Sequence, residues 1–150
     1  MPADAKQSSR SAWLSNSTVR DYIGGIPSQH TLLISGACFS GSIFKTRAAF
    51  DGSETDNEIK EEGIKKIYNM PSRRAISSGA METVPDRSVF LKYLIKNLKR
   101  NNSRFLLSEQ LFVKMKPGII NNSPTNQAPL TGVIQQAGDE GGDFIFLRRN

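Results

Sequence analysis

The sequence predicts an α/β domain in which short strands alternate with helices and form a mostly parallel sheet. The clearest observation is the run "HTLLIS", residues 30–35, which is aliphatic and β-branched without polar alternation. Such a run is typical of a strand buried on both faces, as in a sheet covered by helices. Helical periodicity recurs before and after it, and a chain of 150 residues has room for one hydrophobic core. We therefore expect a single domain over residues 1–150.

The spacing of apolar residues and the positions of proline and glycine predict the individual helices and strands. Apolar residues at helical spacing predict a first helix over residues 16–26, which Pro27 ends. The polar stretch over residues 46–58 predicts a mobile loop. The remaining predicted elements are, in chain order, a helix over residues 58–68, a strand over 73–79, helices over 88–101 and 108–117, and a final strand over 143–147.

The bulk composition limits the classes of partner. The formal net charge is +6, but the cations are scattered over several segments, so we do not expect nucleic acid as the main partner. No apolar run approaches the roughly 18 residues of a membrane span, so we expect no membrane partner. The N-terminus lacks the apolar stretch of a signal peptide, and the chain has a single cysteine. These features favour a cytoplasmic protein.

Neither a metal nor a cofactor is predicted. One cysteine cannot form an internal disulfide or a cysteine-rich zinc site. The acidic run "GDEGGD", residues 138–143, lacks the regular spacing of a calcium loop. We interpret it as a glycine-rich turn that enters the final strand.

The segment "QHTLLISGACFSGS", residues 29–42, holds the only cysteine, Cys38, and the only histidine, His30. A neighbouring thiol and imidazole suggest a nucleophile with its general base. If residues 31–35 form a strand, however, the two lie at opposite ends of it, about 20 Å apart at roughly 3.3 Å per residue. A general base must come within about 3 Å of the proton that it removes. We therefore interpret His30 as the residue that starts the strand.

Cys38 itself allows two interpretations. A lone cysteine is most often a small buried hydrophobic residue. Here it follows a strand in a turn of small residues, where backbone N–H groups can stabilise an oxyanion next to an exposed thiolate. The segment "SSGAME", residues 77–82, also follows a predicted strand. Working residues of open α/β sheets gather beyond the carboxyl ends of strands, so both segments are candidates for a site.

The run from His30 to Gly41 resembles the nucleophile segment of the caspase and metacaspase superfamily, especially its bacterial caspase-like proteins. In that family a buried strand ends in a pattern like Asp-Ala-Cys-Phe-Ser-Gly. Three later segments resemble, in the same order, the family's next strand with its substrate-binding loop, the helix after it and the closing strand. They are "SRRAISSGAMETVPD", "SVFLKYLIKNLKRN" and "AGDEGGDFIFLRR". The ordered set covers nearly the whole chain and is more specific than the cysteine motif alone.

The resemblance implies a caspase-like three-layer α/β/α sandwich and a cysteine endopeptidase that hydrolyses peptide or protein substrates with a Cys–His dyad. Cys38 would be the nucleophile. The turn of Gly36 and Ala37, with the N–H of Cys38, would form the oxyanion region. The substrate peptide would pair by main-chain hydrogen bonds along a strand edge formed by Ser77, Ser78 and Gly79.

The chain departs from the family at the histidine. In caspases the catalytic histidine lies about 50 residues before the cysteine, whereas 37 residues precede Cys38 and His30 is the only histidine among them. We therefore expect an N-terminally truncated domain without the catalytic histidine, and little or no peptidase activity from this chain alone. The alternative is a catalytically dead caspase-like interaction module. Loss of the preceding strands would also leave an exposed sheet edge through which the chain could self-associate.

A second departure concerns substrate preference. The family often has an aspartate two residues before the cysteine, which metacaspases use to bind a basic substrate side chain. Gly36 stands at that position. Asp86 resembles the family's second acidic partner and would still favour arginine or lysine. It is equally suited to cap the helix that starts near Ser88, so the preference stays open.

Overall fold

The computed structural model describes residues 15–36, 43–45, 59–79, 88–124 and 128–149. Within these ranges the chain has a mixed α/β fold, so the predicted α/β class is confirmed, whereas the caspase-like three-layer sandwich stays a prediction. The elements are, in chain order, α1 (Asn16–Gly24), β1 (His30–Ser35), β2 (Phe44–Lys45), α2 (Glu61–Tyr68), β3 (Ser72–Ser77), α3 (Val89–Arg100), β4 (Phe105–Leu107), α4 (Ser108–Asn122), β5 (Leu130–Ile134) and β6 (Ile145–Leu147). The loop predicted over residues 46–58 lies outside the described residues.

The main sheet has the strand order β1-β3-β5-β2. β1 and β3 run parallel, with His30 opposite Ser72 and Ser35 opposite Ser77. β5 runs antiparallel to β3 and pairs with β2, which is also antiparallel to it. The prediction of a mostly parallel sheet is therefore not confirmed, since one pairing of this described sheet is parallel and two are antiparallel. The reason is that the chain re-enters the sheet after α4 at Leu130, beside the carboxyl end of β3, and so runs back along it.

The closing strand lies outside the main sheet. β6 pairs antiparallel with β4, a short strand that the sequence did not predict, and Leu106 lies opposite Phe146. β6 itself falls within the strand predicted over residues 143–147.

Hydrophobic side chains pack on both faces of β3. Ile76 joins a cluster on one face that includes side chains of α3, β4 and α4, namely Phe90, Leu94, Leu106, Leu111, Phe112, Met115 and Ile119. Ala75, which points to the opposite face because side chains alternate along a strand, joins Ile23 of α1 and residues of β2 and β5. Helices therefore cover both faces of the sheet around β3.

The two parallel strands differ in burial, and β1 differs from its prediction. Every residue of β3 is buried, including Arg73 and Arg74. β1, which was predicted to be buried on both faces, is half-buried, and Ile34 is 38% exposed. The reason is position, since β1 is the outermost strand of the described sheet whereas β3 lies between β1 and β5.

Two helices differ from the sequence pattern by three residues or more at one end. α2 begins at Glu61 instead of residue 58. α4 continues through Pro117 to Asn122, so its predicted end was wrong. Burial of Met115 and Ile119, at roughly 1.5–3 kcal/mol each, offsets the ~3 kcal/mol that an internal proline costs.

Candidate functional site

The carboxyl ends of β1 and β3 meet at one edge of the sheet because the strands are parallel and in register. Beyond the last paired residues, the backbone N–H of Ser78 donates to the carbonyl oxygen of Ser35 at 3.0 Å. The hydroxyl of Ser78 donates to the carbonyl oxygen of Gly36 at 2.9 Å. These two hydrogen bonds hold together the starts of the two segments on which the sequence placed its candidate site.

The described part of this site comprises Gly36, Ser77, Ser78 and Gly79. Cys38, Ala37 and Asp86 lie outside the described residues. Gly36 is exposed. Ser77, which ends β3, and the next two residues, Ser78 and Gly79, are buried. The structure therefore brings the exposed Gly36 next to a buried pair of serines, and Cys38 lies two residues further along the sequence.

Ser77 is an interior residue of the sheet rather than an edge. It lies opposite Ser35 on one side and Leu130 on the other. Its hydroxyl is buried and has no hydrogen-bond partner among the described residues. Main-chain pairing with a substrate peptide, which the resemblance assigned to residues 77–79, therefore has no free strand edge at Ser77.

Gly79 lies against the backbone of Ala128. A Cβ at this position would come within 3.3 Å of the Ala128 carbonyl oxygen, and the φ angle of Gly79 is 155°. Both the close approach and the φ angle favour glycine. Gly79 is thus the point where the chain leaves the sheet, ahead of the segment that carries Asp86.

Ser88 caps α3. Its hydroxyl accepts a hydrogen bond from the backbone N–H of Leu91 at 3.1 Å, and α3 begins at the next residue. The capping role that was one interpretation of Asp86 is therefore filled by Ser88.

His30 lies at the other end of β1 from Gly36, as the sequence predicted. Its Nδ1 atom is 3.1 Å from the hydroxyl of Ser72, and its ring packs on the ring of Tyr68 with 4.8 Å between centroids. His30 thus takes part in contacts at the amino end of the two parallel strands, far from the candidate site.

The run of residues 138–143 forms a turn that is tied to β3. The Asp139 carboxylate accepts hydrogen bonds from the backbone N–H groups of Arg73 at 2.9 Å and Gly141 at 3.1 Å. Gly142 lies so close to the Met70 carbonyl that a Cβ there would overlap it. Among the described residues, no group of three or more His, Cys, Asp or Glu side chains is placed to hold a metal ion.

A buried ionic cluster, which the sequence reasoning missed, joins the end of that turn to α4. The Asp143 carboxylate accepts from the Ser108 hydroxyl and from the backbone N–H groups of Glu109 at 3.2 Å and Phe144 at 2.7 Å. Arg74 is ion-paired with Glu109 and lies 3.8 Å from Asp143, from Nε to Oδ1. Burial raises the pKa of Asp143, and the Arg74 charge opposes this shift. Asp143 thus supplies acceptors to the first turn of α4, whose N-cap is the apolar Leu107.

Arg73 holds the connection between α1 and β1. Its guanidinium donates to the carbonyl oxygens of Ser28 at 2.6 Å and Gln29 at 3.0 Å. Neighbouring arginines of β3 are therefore used for structure on opposite faces of the sheet. No residue pattern in the sequence identifies these partners.

A cleft of about 340 Å³ opens beside the turn, lined by residues 133–136 and 138–141. It lies at the end of β5 that carries Ile134, whereas Leu130 at the other end is the residue opposite Ser77. The cleft is therefore separate from the candidate site.

No protein-family model, curated protein or solved structure matches the chain. The caspase-like interpretation stays a prediction that rests on the quoted residues. Of the helices in the described ranges, none is long and apolar enough to cross a membrane.

Proposed function

We propose that the chain is a caspase-like cysteine endopeptidase domain, with the three-layer sandwich of that family and Cys38 as its thiol nucleophile. The observation that carries the proposal is the hydrogen bond between Ser78 and Gly36. It joins the turn that leads to Cys38 to the end of the strand from which the proposed substrate loop departs. Open α/β sheets use this edge for their working residues.

The chemistry requires three groups around the scissile peptide. The Cys38 sulfur would attack the carbonyl carbon, and backbone N–H groups of the turn would hold the resulting oxyanion. A general base must take the thiol proton, and a proton must reach the leaving amine. His30, the only histidine of the sequence, lies at the wrong end of β1 for this. We therefore expect the chain by itself to cleave peptides slowly or not at all.

We assign substrate binding to the residues that follow β3. Ser77 is paired on both sides, so main-chain pairing with the substrate falls to Gly79 and the loop that follows it. With Ser88 capping α3, Asp86 is left as the candidate partner for a basic substrate side chain. We propose arginine or lysine as the preferred residue, and the reducing cytoplasm as the compartment that keeps the thiol free.

Affinity labelling tests the proposal without requiring turnover. The purified chain is treated with a peptidyl chloromethyl ketone that ends in L-arginine, and separately with the D-arginine reagent, and the adduct is located by peptide mass spectrometry. Both reagents have the same intrinsic reactivity, so only a substrate-binding surface distinguishes them. We expect the L-reagent to modify Cys38 several-fold faster, and Cys38→Ala to abolish the adduct.

Two results separate the alternatives. Equal rates for the two reagents would mean that Cys38 has no substrate surface, which favours the interaction module over the peptidase. Rapid Cys38-dependent cleavage of a fluorogenic arginine peptide by this chain would support the nucleophile but contradict the requirement for a further histidine.

A further inference from the structure

β1 is the outermost strand of the described sheet, and the direction of its main-chain groups follows from its pairing with β3. The carbonyl oxygens of Gln29 and Ser35 accept from the N–H groups of Ser72 at 2.9 Å and Ser78 at 3.0 Å. Successive residues of a strand direct their N–H and C=O groups to alternate sides. The odd-numbered residues therefore face β3, and the main chains of His30, Leu32 and Ile34 point away from it.

These outward groups are largely unpaired within the described part of the chain. The His30 carbonyl accepts from the Ser28 hydroxyl at 2.7 Å. In the described sheet β1 pairs with β3 alone, so the outward N–H and C=O groups of Leu32 and Ile34 have no strand partner there. Exposed strand edges in native proteins are usually blocked by charged side chains, proline or bulges. The sequence of β1, "HTLLIS", contains no lysine, arginine, acid or proline.

We propose that two copies of the chain pair antiparallel through their β1 strands, around a twofold axis that passes at Leu32. In this register Leu32 lies opposite the second copy's Leu32, and His30 lies opposite the second copy's Ile34. The three outward-facing residues of one copy then meet the three of the other, and each pair exchanges both main-chain hydrogen bonds. The two main sheets become one continuous sheet.

The occupant is a second copy because the register closes on itself. Three outward residues centred on Leu32 are paired completely by the same three residues in the reverse order, which is the condition for an isologous interface. No lysine, arginine or acidic side chains face each other across the pairing, because β1 contains none. The side chain of Ile34, 38% exposed in the single copy, gains the second copy's His30 ring as a cross-strand neighbour.

The dimer is independent of the proposed peptidase activity, because it uses the side of β1 that faces away from β3 and the Ser78–Gly36 contact. A negative result in the labelling experiment on Cys38 therefore does not count against the dimer. In the same way, a monomeric chain would not count against the peptidase proposal.

The oligomeric state tests the interface. Size-exclusion chromatography with light scattering, over a dilution range of about two orders of magnitude, is expected to show a concentration-dependent dimer. Ile34→Lys places a charge on the edge and is expected to weaken dimerisation by about tenfold or more. The matched control is Ile120→Lys, the same change on α4 at 46% exposure, which leaves the dimer intact. A wild-type monomer at every concentration, or equal weakening by the two variants, overturns the proposal.

Hydrogen exchange of the wild-type chain provides a second measurement that does not depend on any variant folding. The Leu33 amide faces β3 and is protected at every concentration. The Leu32 and Ile34 amides face outward and are expected to gain protection as concentration rises. Concentration-independent exchange at these two amides overturns the β1 register even if the chain dimerises elsewhere.

Discussion

The Ser78 hydroxyl donates a hydrogen bond to the Gly36 carbonyl oxygen at 2.9 Å, across the carboxyl ends of two parallel strands. The bond lies one residue beyond the last pair of the ladder, Ser35 and Ser77. It extends the contacts between the two strands to Gly36, which lies two residues before Cys38 in the sequence. Because Ser78 is fully buried, its hydroxyl has little competition from water, and the contact is expected to contribute measurably to stability.

Neighbouring buried serines allow a matched test of this contact. Ser78→Ala removes the donor to Gly36 and is expected to lower the free energy of unfolding by about 1 kcal/mol. Ser77 is equally buried, but its hydroxyl has no partner among the described residues. Ser77→Ala is therefore expected to be neutral or stabilising, because a buried unpaired hydroxyl is itself unfavourable. Urea denaturation measures the free energy of unfolding of both variants. A greater loss of stability from Ser77→Ala than from Ser78→Ala would refute the stabilising role of the Ser78–Gly36 hydrogen bond.

His30 is expected to have no part in the reactivity of Cys38. Its ring contacts Ser72 and Tyr68 at the amino end of β1. His30→Gln should therefore leave the rate of iodoacetamide alkylation of Cys38 unchanged within about twofold between about pH 6 and pH 8, because a general base must lie within hydrogen-bond reach of the proton that it removes. The rate is measured by mass spectrometry of the Cys38 peptide. A fall at neutral pH that is confined to this variant would show that the two residues communicate.

Gly36 stands at the position where the caspase family, which the sequence resembles, often has an aspartate. A Cβ at Gly36 would meet no atom within 4 Å, so Gly36→Asp is expected to change stability by no more than about 0.5 kcal/mol. An exposed ion pair contributes up to about 1 kcal/mol, or roughly fivefold in rate. The variant should accelerate labelling of Cys38 by an arginine chloromethyl ketone relative to a leucine reagent. Gly36→Asn has a similar shape without the charge. Equal acceleration by both variants would contradict a site that binds the basic side chain of the substrate through a negative charge.

The sequence located β1 and β3, but its prediction that β1 is buried on both faces was wrong. "HTLLIS" is apolar throughout and yet forms an outer strand, whereas "SRRAIS" contains two arginines and is buried along its whole length. Burial of a strand depends on which strands lie beside it, and that is decided by distant segments. Arg74 can be buried because Glu109 and Asp143 are close enough to pair with its charge. The residues next to Arg74 in the sequence do not indicate these partners.

The candidate site was predictable to the extent that it follows from parallel pairing. Two strands that run the same way end at the same edge, so the meeting of Gly36 and Ser78 follows from locating the two strands and their direction. The antiparallel return of β5 was not predictable, because it depends on where the chain re-enters the sheet after α4. That return pairs Ser77 with Leu130 and removes the strand edge that the resemblance had implied.

The buried carboxyl of Asp143 gives the fold a pH dependence whose sign can be measured. Burial raises its pKa above the ordinary value of 3.8, although Arg74 and the hydrogen bonds from Ser108 and Glu109 oppose the shift. A raised folded-state pKa means that the folded chain binds a proton more tightly than the unfolded chain. The contribution of Asp143 to stability is therefore greatest at low pH and is lost as the pH rises through the folded-state pKa.

Asp143→Asn removes this titration while keeping the shape of the side chain. We expect the stability of the wild type relative to Asp143→Asn to increase as the pH is lowered from 7 toward 4, because the wild-type carboxyl becomes neutral in its buried position. Urea denaturation of both proteins across this range gives the difference at each pH, in which contributions from groups common to both cancel. A difference that stays constant, or one that moves against the wild type as the pH falls, would show that the Arg74 ion pair outweighs burial at this carboxyl.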